Sequence, residues 1–533
     1  GFWAYETLGW GGYWAWDPVE NSSLIPWIFS AGLIHTLIIH RKKNALKRTG
    51  LALAILAFLS VTYGTFLTRS GVLGDFSVHS FLDLGINSYL IGAVFLFAGL
   101  GAVTFFLRFR QIKTEPTSGN WFSREFLIFG NILATILSAF LIILGMSSPL
   151  LTRWFGTPAS VRTDFYNVSI TPIVILFTLL LGLLPAVGWG ENDRKLFWKN
   201  IRLPLMLSVP VAIAIFIGKV KEPLYLVFVF LSVLAFFSNG RIVLLKLKTG
   251  KLAGAFLAHC GMALLLLGVI FSNVYESRAR IGLVTGEPQQ ALGYSFTYLG
   301  KDSNSPQGKT PHKILVQRGS EEFTAAPRQF FSAYSQGIMR TPYIKRYWNK
   351  DLYIAPIEEI DYSITEETFN LEKGKAFEKS GYTFRYLAGE LSPHQTGTAQ
   401  TFTAQIQVRH GEETETISPG LVGQGMNWKQ EPARFNHDRA IVYLEGFQPG
   451  ENSLAVRFIG QSANTSEVPQ PGFAIEVSVK PFINLFWGGA ILVVIGGILS
   501  LLKRWKALRK SGSQSNEAER VPAQPVARTL TGV

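Results

Sequence analysis

The chain has 533 residues, of which 48% are hydrophobic and only 16% charged, and its mean hydropathy is positive at +0.23. That balance excludes a soluble globule and a disordered chain, and it defines a polytopic α-helical membrane protein. The net charge of +14 does not mark nucleic-acid binding, because the basic residues sit in short loops between apolar runs, the distribution of topology signals.

Residues 10–27 read WGGYWAWDPVENSSLIPW. Three tryptophans, a tyrosine and two glycines fill the first seven positions. Indole N–H groups must find partners when buried, so the cluster suits either a membrane–water interface, where Trp and Tyr collect, or a flat aromatic ligand lying on Trp10, Gly11, Gly12, Trp14 and Trp16. Composition leaves both readings open. Asp17 stands at an N-cap position, Pro18 at the first helical position and Glu20 three residues after the cap, the spacing of a capping box. A helix therefore begins here. It runs through the apolar Leu24–Ile39 stretch to His40-Arg41-Lys42-Lys43, long enough to cross a bilayer.

Further apolar runs fall at about 51–68, 88–107, 126–146, 168–188, 203–218, 223–239, 252–273 and 482–502, making nine spans with the first. The run at 203–218 is short and needs tilt or a thinned bilayer. Basic residues are rich after spans one, three, five, seven and nine, as in Arg41, Lys42 and Lys43, then Arg108 and Arg110, then Arg194 and Lys195, then Arg241 and Lys246, then Lys503 and Arg504. The positive-inside rule makes those loops cytoplasmic and puts the tryptophan segment on the other side. Residues from about 276 to 480 are polar, with period-two stretches at Tyr382–Leu387, Thr403–Val408 and Phe473–Val479. These read as half-buried strands of a mainly β domain between the last two helices.

The expected organisation is an extracytoplasmic tryptophan-rich segment at 1–23, a helical domain of about eight spans at 24–275, an extracytoplasmic β domain at 276–480, a last span at 481–503, and a cytoplasmic tail at 504–533, polar and disordered after Lys510. Because the chain starts with Gly inside a recognisable motif, it reads as a fragment lacking helices that precede the signature.

Two histidines lie inside spans, His35 in the first and His259 in the eighth. Ionisable residues in lipid are rare and usually functional, and imidazole is a standard ligand for haem iron. His35 lies six residues before Arg41 and His259 eight after Lys251, so both sit roughly 9–12 Å from the cytoplasmic charge layer. Two imidazoles at one depth can clamp one iron, or each can hydrogen-bond across a helix interface. His79 occupies the loop after the second span, on the same side as the tryptophans, where a histidine is either solvated or a ligand. His312, His394, His410 and His437 lack metal-site spacing. Arg69, at the outer end of the second span, either snorkels to the interface or pairs with a carboxylate, and snorkelling is the preferred reading. Asp17 and Glu20 resemble an acid–base pair, but the helix cap explains them more simply. Cys260 is the chain's one cysteine. It reads as a small core residue and leaves no disulfide, no CxxC pair and no CxxCH site.

Trp10-Gly11-Gly12, Trp14 and Trp16-Asp17-Pro18-Val19-Glu20-Asn21 resemble the WWD signature of proteins that handle haem during cytochrome c maturation. Ala31-Gly32-Leu33-Ile34-His35, Thr68-Arg69-Ser70-Gly71-Val72, Val78-His79-Ser80-Phe81, Ala258-His259-Cys260-Gly261-Met262 and Asp351-Leu352-Tyr353 extend the likeness to the CcmF-type cytochrome c haem lyase family, from Gly1 to about Lys510. The resemblance implies a multi-pass protein of the bacterial inner membrane with the WWD segment and β domain periplasmic. It implies His35 and His259 as axial ligands of an embedded haem b, and His79, with a histidine this chain does not contain, as ligand of the haem being delivered. It makes Trp10, Gly11, Gly12, Trp14, Trp16 and Asp17 the haem platform and Arg69 a propionate contact. The implied activity is that of a holocytochrome c synthase component attaching haem to a CxxCH apocytochrome c. The implied partners are a haem-chaperone donor, other maturation subunits, membrane lipid and a quinol as electron source; nucleic acid is not among them. A haem carrier or transmembrane transporter without lyase chemistry is the alternative. It predicts broken helices near the midplane, and none is visible in the sequence. A plain b-type cytochrome for quinol oxidation would leave the tryptophans without a role.

Overall fold

Apolar runs of bilayer length have one low-energy form in lipid, because only a helix satisfies its own backbone groups there. The computed structural model describes residues 1–7, 12–77, 79–81, 84–117, 120–190, 194–218, 220, 222–302, 310–332, 337–361, 364–391, 400–411, 413–424, 427–435, 440–448, 452–461 and 471–519. Its helices are α1 (Phe2–Thr7), α2 (Pro18–Lys43), α3 (Lys47–Arg69), α4 (Asn87–Arg108), α5 (Arg124–Met146), α6 (Ser148–Thr152), α7 (Thr163–Leu183), α8 (Arg194–Gly218), α9 (Pro223–Leu247), α10 (Gly254–Val269) and α11 (Ile483–Glu519). Among the described residues, nine of these are long and apolar enough to span a membrane. Strands fill the chain between α10 and α11.

Two helices run past the apolar stretches that mark them. In the sixth span α8 has 25 residues and begins at Arg194, before the apolar run. Arg194, Lys195, Lys199 and Arg202 depress the local hydropathy, yet Leu196, Phe197, Trp198 and Ile201 carry the helix two turns further back. The chain after Lys510 does not become irregular at once, since α11 continues to Glu519. A helix already nucleated in the membrane propagates cheaply through good helix formers such as Lys506, Ala507, Leu508 and Arg509.

The chain forms two compact units. One contains Tyr13–Glu276, Arg346–Asp351 and the chain from Lys480; the other contains Gly1–Gly12, Ser277–Lys345 and Leu352–Val479.

In the membrane unit, α2 packs on α3 and α5 around Ile25, Phe29, Ile39, Leu53, Ile132 and Ile142, all buried. Helix α10 lies along α11 through glycines seven residues apart, Gly254, Gly261 and Gly268 facing Gly489 and Gly496. A Cβ at Gly261 would stand 2.6 Å from the Gly489 carbonyl oxygen, and one at Gly496 would stand 2.4 Å from the Ala258 amide nitrogen. Backbone meets backbone here, so any side chain would force the helices apart.

Alternate loops meet at opposite ends of the bundle. At one end the Glu115 amide donates to the Asn44 carbonyl at 3.2 Å, the Arg124 amide to the Gly188 carbonyl at 2.8 Å, and Lys43 pairs with the buried Glu125 at 3.2 Å. At the other end Tyr63 bonds Ser147 at 2.6 Å, Trp16 bonds Asn167, and Tyr13 bonds Ser272 at 2.9 Å. Tyr13 also stacks on Phe486 with ring centres 4.0 Å apart.

The second unit is mainly β. Strands Tyr382–Leu391 and Gln400–His410 pair antiparallel, as do Ile364–Glu372 and Ser453–Gln461. Tyr382, Phe384, Tyr386, Phe402, Leu444, Val456 and Phe458 fill one core, while Thr383, Arg385 and Leu387 alternate outward. In a further four-stranded sheet, Ser277–Val284 pairs with Pro471–Pro481. His312 is buried, stacks on Phe473 at 3.7 Å and bonds the Tyr298 hydroxyl through Nδ1 at 2.9 Å. Burial pushes its pKa down to about 4, against a small upward pull from Glu359.

Candidate functional sites at two depths

The first site lies within the membrane. His35, on α2, donates from Nδ1 to the Ala31 carbonyl at 2.7 Å. A carbonyl oxygen only accepts, so Nδ1 carries the hydrogen and Nε2 keeps its lone pair. His259, on α10, presents its ring parallel to that of His35 within 10°, with centroids 6.2 Å apart. Two imidazole nitrogens about 2.0 Å from one shared iron place the ring centres about 6 Å apart. The pair therefore fits bis-histidine haem ligation. Both rings are only half-buried, so their edges stay open to a large planar group. Phe256 meets His259 edge-on, and Cys260 turns its buried thiol toward the Phe236 carbonyl of α9.

The second site is at the N-terminus of α2. Asp17 caps the helix as its spacing predicts, its Oδ1 accepting from the amides of Val19 at 2.8 Å and Glu20 at 3.0 Å. The reciprocal half of the capping box is displaced. Glu20 accepts instead from the Ala15 amide at 3.2 Å, because the extended chain before Asp17 brings that donor into reach. The same Asp17 oxygen takes the Ser77 hydroxyl at 2.9 Å and pairs with His79 Nδ1 at 3.3 Å. Glu20 lies 3.7 Å from His79 Nε2. Ser77 also accepts from the His79 amide at 3.1 Å. The loop is anchored from below by the buried Leu73, packed with Phe66, Leu67 and Val19. Burial works against the charged Asp17 carboxylate, but His79, the Glu20 amide and Ser77 outweigh it and hold its pKa low. The hydrogen bond that His79 donates to Asp17 raises the His79 pKa, partly opposed by burial and assisted by the charges of Asp17 and Glu20.

Trp14 is 39% exposed. Trp16 is committed to packing, stacked on Tyr166 at 4.5 Å and 12° and donating its indole N–H to Asn167 at 3.2 Å. Arg69 places its guanidinium 4.1 Å from the Phe81 ring centre, and the Phe81 amide donates to the Thr68 carbonyl at 3.0 Å, so this arginine holds the far side of the His79 loop. Gly12 is half-buried. Trp10 and Gly11 lie outside the described residues, as do His394 and His437.

Sequence reasoning did not find Ser77, Tyr166 or Asn167, nor the union of Asp17, Glu20 and His79. A cap explained Asp17 fully, and nothing local shows that a loop sixty residues later docks on the same oxygen. The one available signal was Ser77 two residues before His79, a spacing that lets a hydroxyl brace the following turn.

A polytopic bundle with paired intramembrane histidines and an acidic-histidine loop site defines a class, and the similarities to known proteins agree with it. Residues 1–73 match the family described as Cytochrome C assembly protein. The cytochrome c-type biogenesis protein CcmF of Pseudomonas aeruginosa is 32% identical over 68% of this chain and 57% of its own length. That of Pseudomonas fluorescens is 30% identical over 66% and 56%. A solved structure titled Cytochrome c Heme Lyase CcmF shares the fold with a TM-score of 0.55 and 20% identity, covering 93% of this chain and 62% of that one. The chain belongs to the CcmF-type cytochrome c biogenesis proteins. It spans between half and two-thirds of the length of these relatives.

Proposed function

We propose that this chain handles haem in cytochrome c maturation as a haem lyase component, with a resident haem b between His35 and His259 and a substrate haem at the Asp17 end. The observation that carries this reading is the parallel 6.2 Å pairing of His35 and His259. The resident group supplies one-electron reduction when bound. The chain's own residues supply the rest. The Ala31 carbonyl fixes the His35 tautomer, and the glycine-lined contact of α10 with α11 fixes the helix that carries His259.

His79 is the proposed ligand for substrate haem, Asp17 and Ser77 position it, and Trp14 offers an exposed ring. Trp10, Gly11 and Gly12 complete the proposed platform, and Arg69 is the proposed propionate contact. Attachment adds each cysteine S–H of an apocytochrome CxxCH across a haem vinyl group: one S–C bond forms, the hydrogen goes to the neighbouring carbon, and no net electrons are exchanged. By the positive-inside rule the Asp17 end and the β unit are periplasmic in a bacterial inner membrane. A haem-chaperone donor, further maturation subunits and a quinol are the partners this reading calls for.

The test is an absorption spectrum of the purified full-length protein before and after dithionite, with thioether formation on a CxxCH apocytochrome. A low-spin b-type spectrum with thioether product is expected. Substrate haem bound without thioether product would favour the carrier reading, and absence of a resident b-type band would remove the His35–His259 assignment.

A further inference from the structure

Helix α11 marks the bilayer boundary. From Ile483 to the first cation, Lys503, there are twenty residues, which at about 1.5 Å each equal the roughly 30 Å hydrocarbon thickness. Ile483 therefore sits at the edge of the hydrocarbon, and Trp487 and its neighbour Tyr13, one turn further in, form an aromatic belt at that edge.

A short turn of chain is held at this height. Residues Arg346–Asp351, between the strands Tyr343–Arg346 and Lys350–Asp361, belong to the membrane unit. Asn484 donates its side-chain amide to the Trp348 carbonyl at 2.6 Å. The Phe482 amide donates to the Asn349 carbonyl at 2.7 Å. Phe482 has a φ of +50°, a strained value for an aromatic residue, so the junction accepts a cost to make this contact. The turn is closed by the Tyr347 amide donating to the Lys350 carbonyl at 2.8 Å, and the Lys350 ammonium lies 5.3 Å from the Tyr347 ring centre. At the tip, Trp348 is 82% exposed. Its backbone is held beside the first turn of α11.

We propose that Trp348 is a lipid anchor: the tip Tyr347–Lys350 inserts its indole into the headgroup–glycerol layer of the bilayer. An indole has an apolar body and one N–H donor, which suits that layer and no other layer of the bilayer. The inference is independent of any haem assignment.

The test uses the full chain in nanodiscs of phosphatidylcholine and phosphatidylglycerol, without any partner protein. The emission of Trp348 is isolated as the difference between wild type and Trp348→Phe, an exposed and conservative change. Lipids brominated near the carbonyl end of the acyl chain should remove most of that difference emission, lipids brominated near the methyl end should remove less, and aqueous iodide should leave it unchanged. Iodide quenching without bromolipid quenching would overturn the proposal, because the indole would then face water and await a protein partner. As a second route, Trp348→Cys in a Cys260→Ser background carries an environment-sensitive dye. A dye reporting water in the nanodisc would overturn the proposal equally.

Discussion

The two histidine sites use opposite physics. His35 and His259 face each other inside the hydrocarbon, with a backbone carbonyl accepting from His35. His79 sits at the membrane edge against two carboxylates and a serine. The Ala31 carbonyl holds the hydrogen on His35 Nδ1 and leaves Nε2 as the nitrogen that faces away from it. The Asp17 and Glu20 carboxylates favour the charged form of the His79 imidazole. The difference teaches that the depth of a histidine decides what its ring nitrogens face: a backbone carbonyl and a second imidazole in the bundle, carboxylates at its end.

That contrast breaks most easily at the inner site. His35→Ala or His259→Ala should abolish the reduced α-band of the resident haem, read in dithionite difference spectra. A full band in both variants would leave the inner pair as a helix–helix contact. His79→Ala should abolish maturation of a reporter c-type cytochrome while leaving the resident spectrum intact. Loss of both signals together would mean that the two sites are one.

Asp17 sharpens the comparison, because Asn keeps the cap and loses the charge facing His79. Asp17→Asn should therefore keep stability within a few tenths of a kcal/mol and reduce reporter maturation several-fold. Asp17→Ala should also lose about 1 kcal/mol of stability. Equal maturation in Asp17→Asn and wild type would return Asp17 to capping alone. The tryptophans separate in the same way. Trp16→Ala should cost about 3 kcal/mol, from the lost stack on Tyr166 and bond to Asn167. Trp14→Ala should cost little stability and lower haem transfer, with thermal unfolding and reporter maturation as the paired measurements.

The smallest effect lies outside both sites. His312 is buried neutral in the β unit, with its folded pKa near 4 against about 6.5 unfolded. Its stabilising contribution is complete above about pH 6.5 and is lost as pH falls from there toward 4, on the order of 2 kcal/mol in all. His312→Phe should flatten that part of the stability–pH curve measured on the intact protein. An unchanged slope would place the acid sensitivity elsewhere.

Much of this architecture is legible in the amino-acid sequence. Hydropathy and length locate nine helices because lipid leaves the backbone no other choice, and period-two alternation at Tyr382–Leu387 exposes the β unit. Asp17 as cap and the equal depth of His35 and His259 follow from spacing, since rise per residue converts sequence distance into height. Other features needed the folded chain. The sequence cannot show that the His79 loop returns to Asp17, that Trp16 is consumed by Tyr166 while Trp14 stays exposed, or that Asn484 holds the Trp348 turn at the bilayer edge. Those contacts join residues up to 151 positions apart. Their register is set by helix–helix packing, above all where Gly254, Gly261 and Gly268 let α11 lie directly on the backbone of α10. Local periodicity determined which segments cross the membrane; only the packed bundle decided which side chains meet at its end, because meeting depends on rotations and close approaches that no single segment encodes.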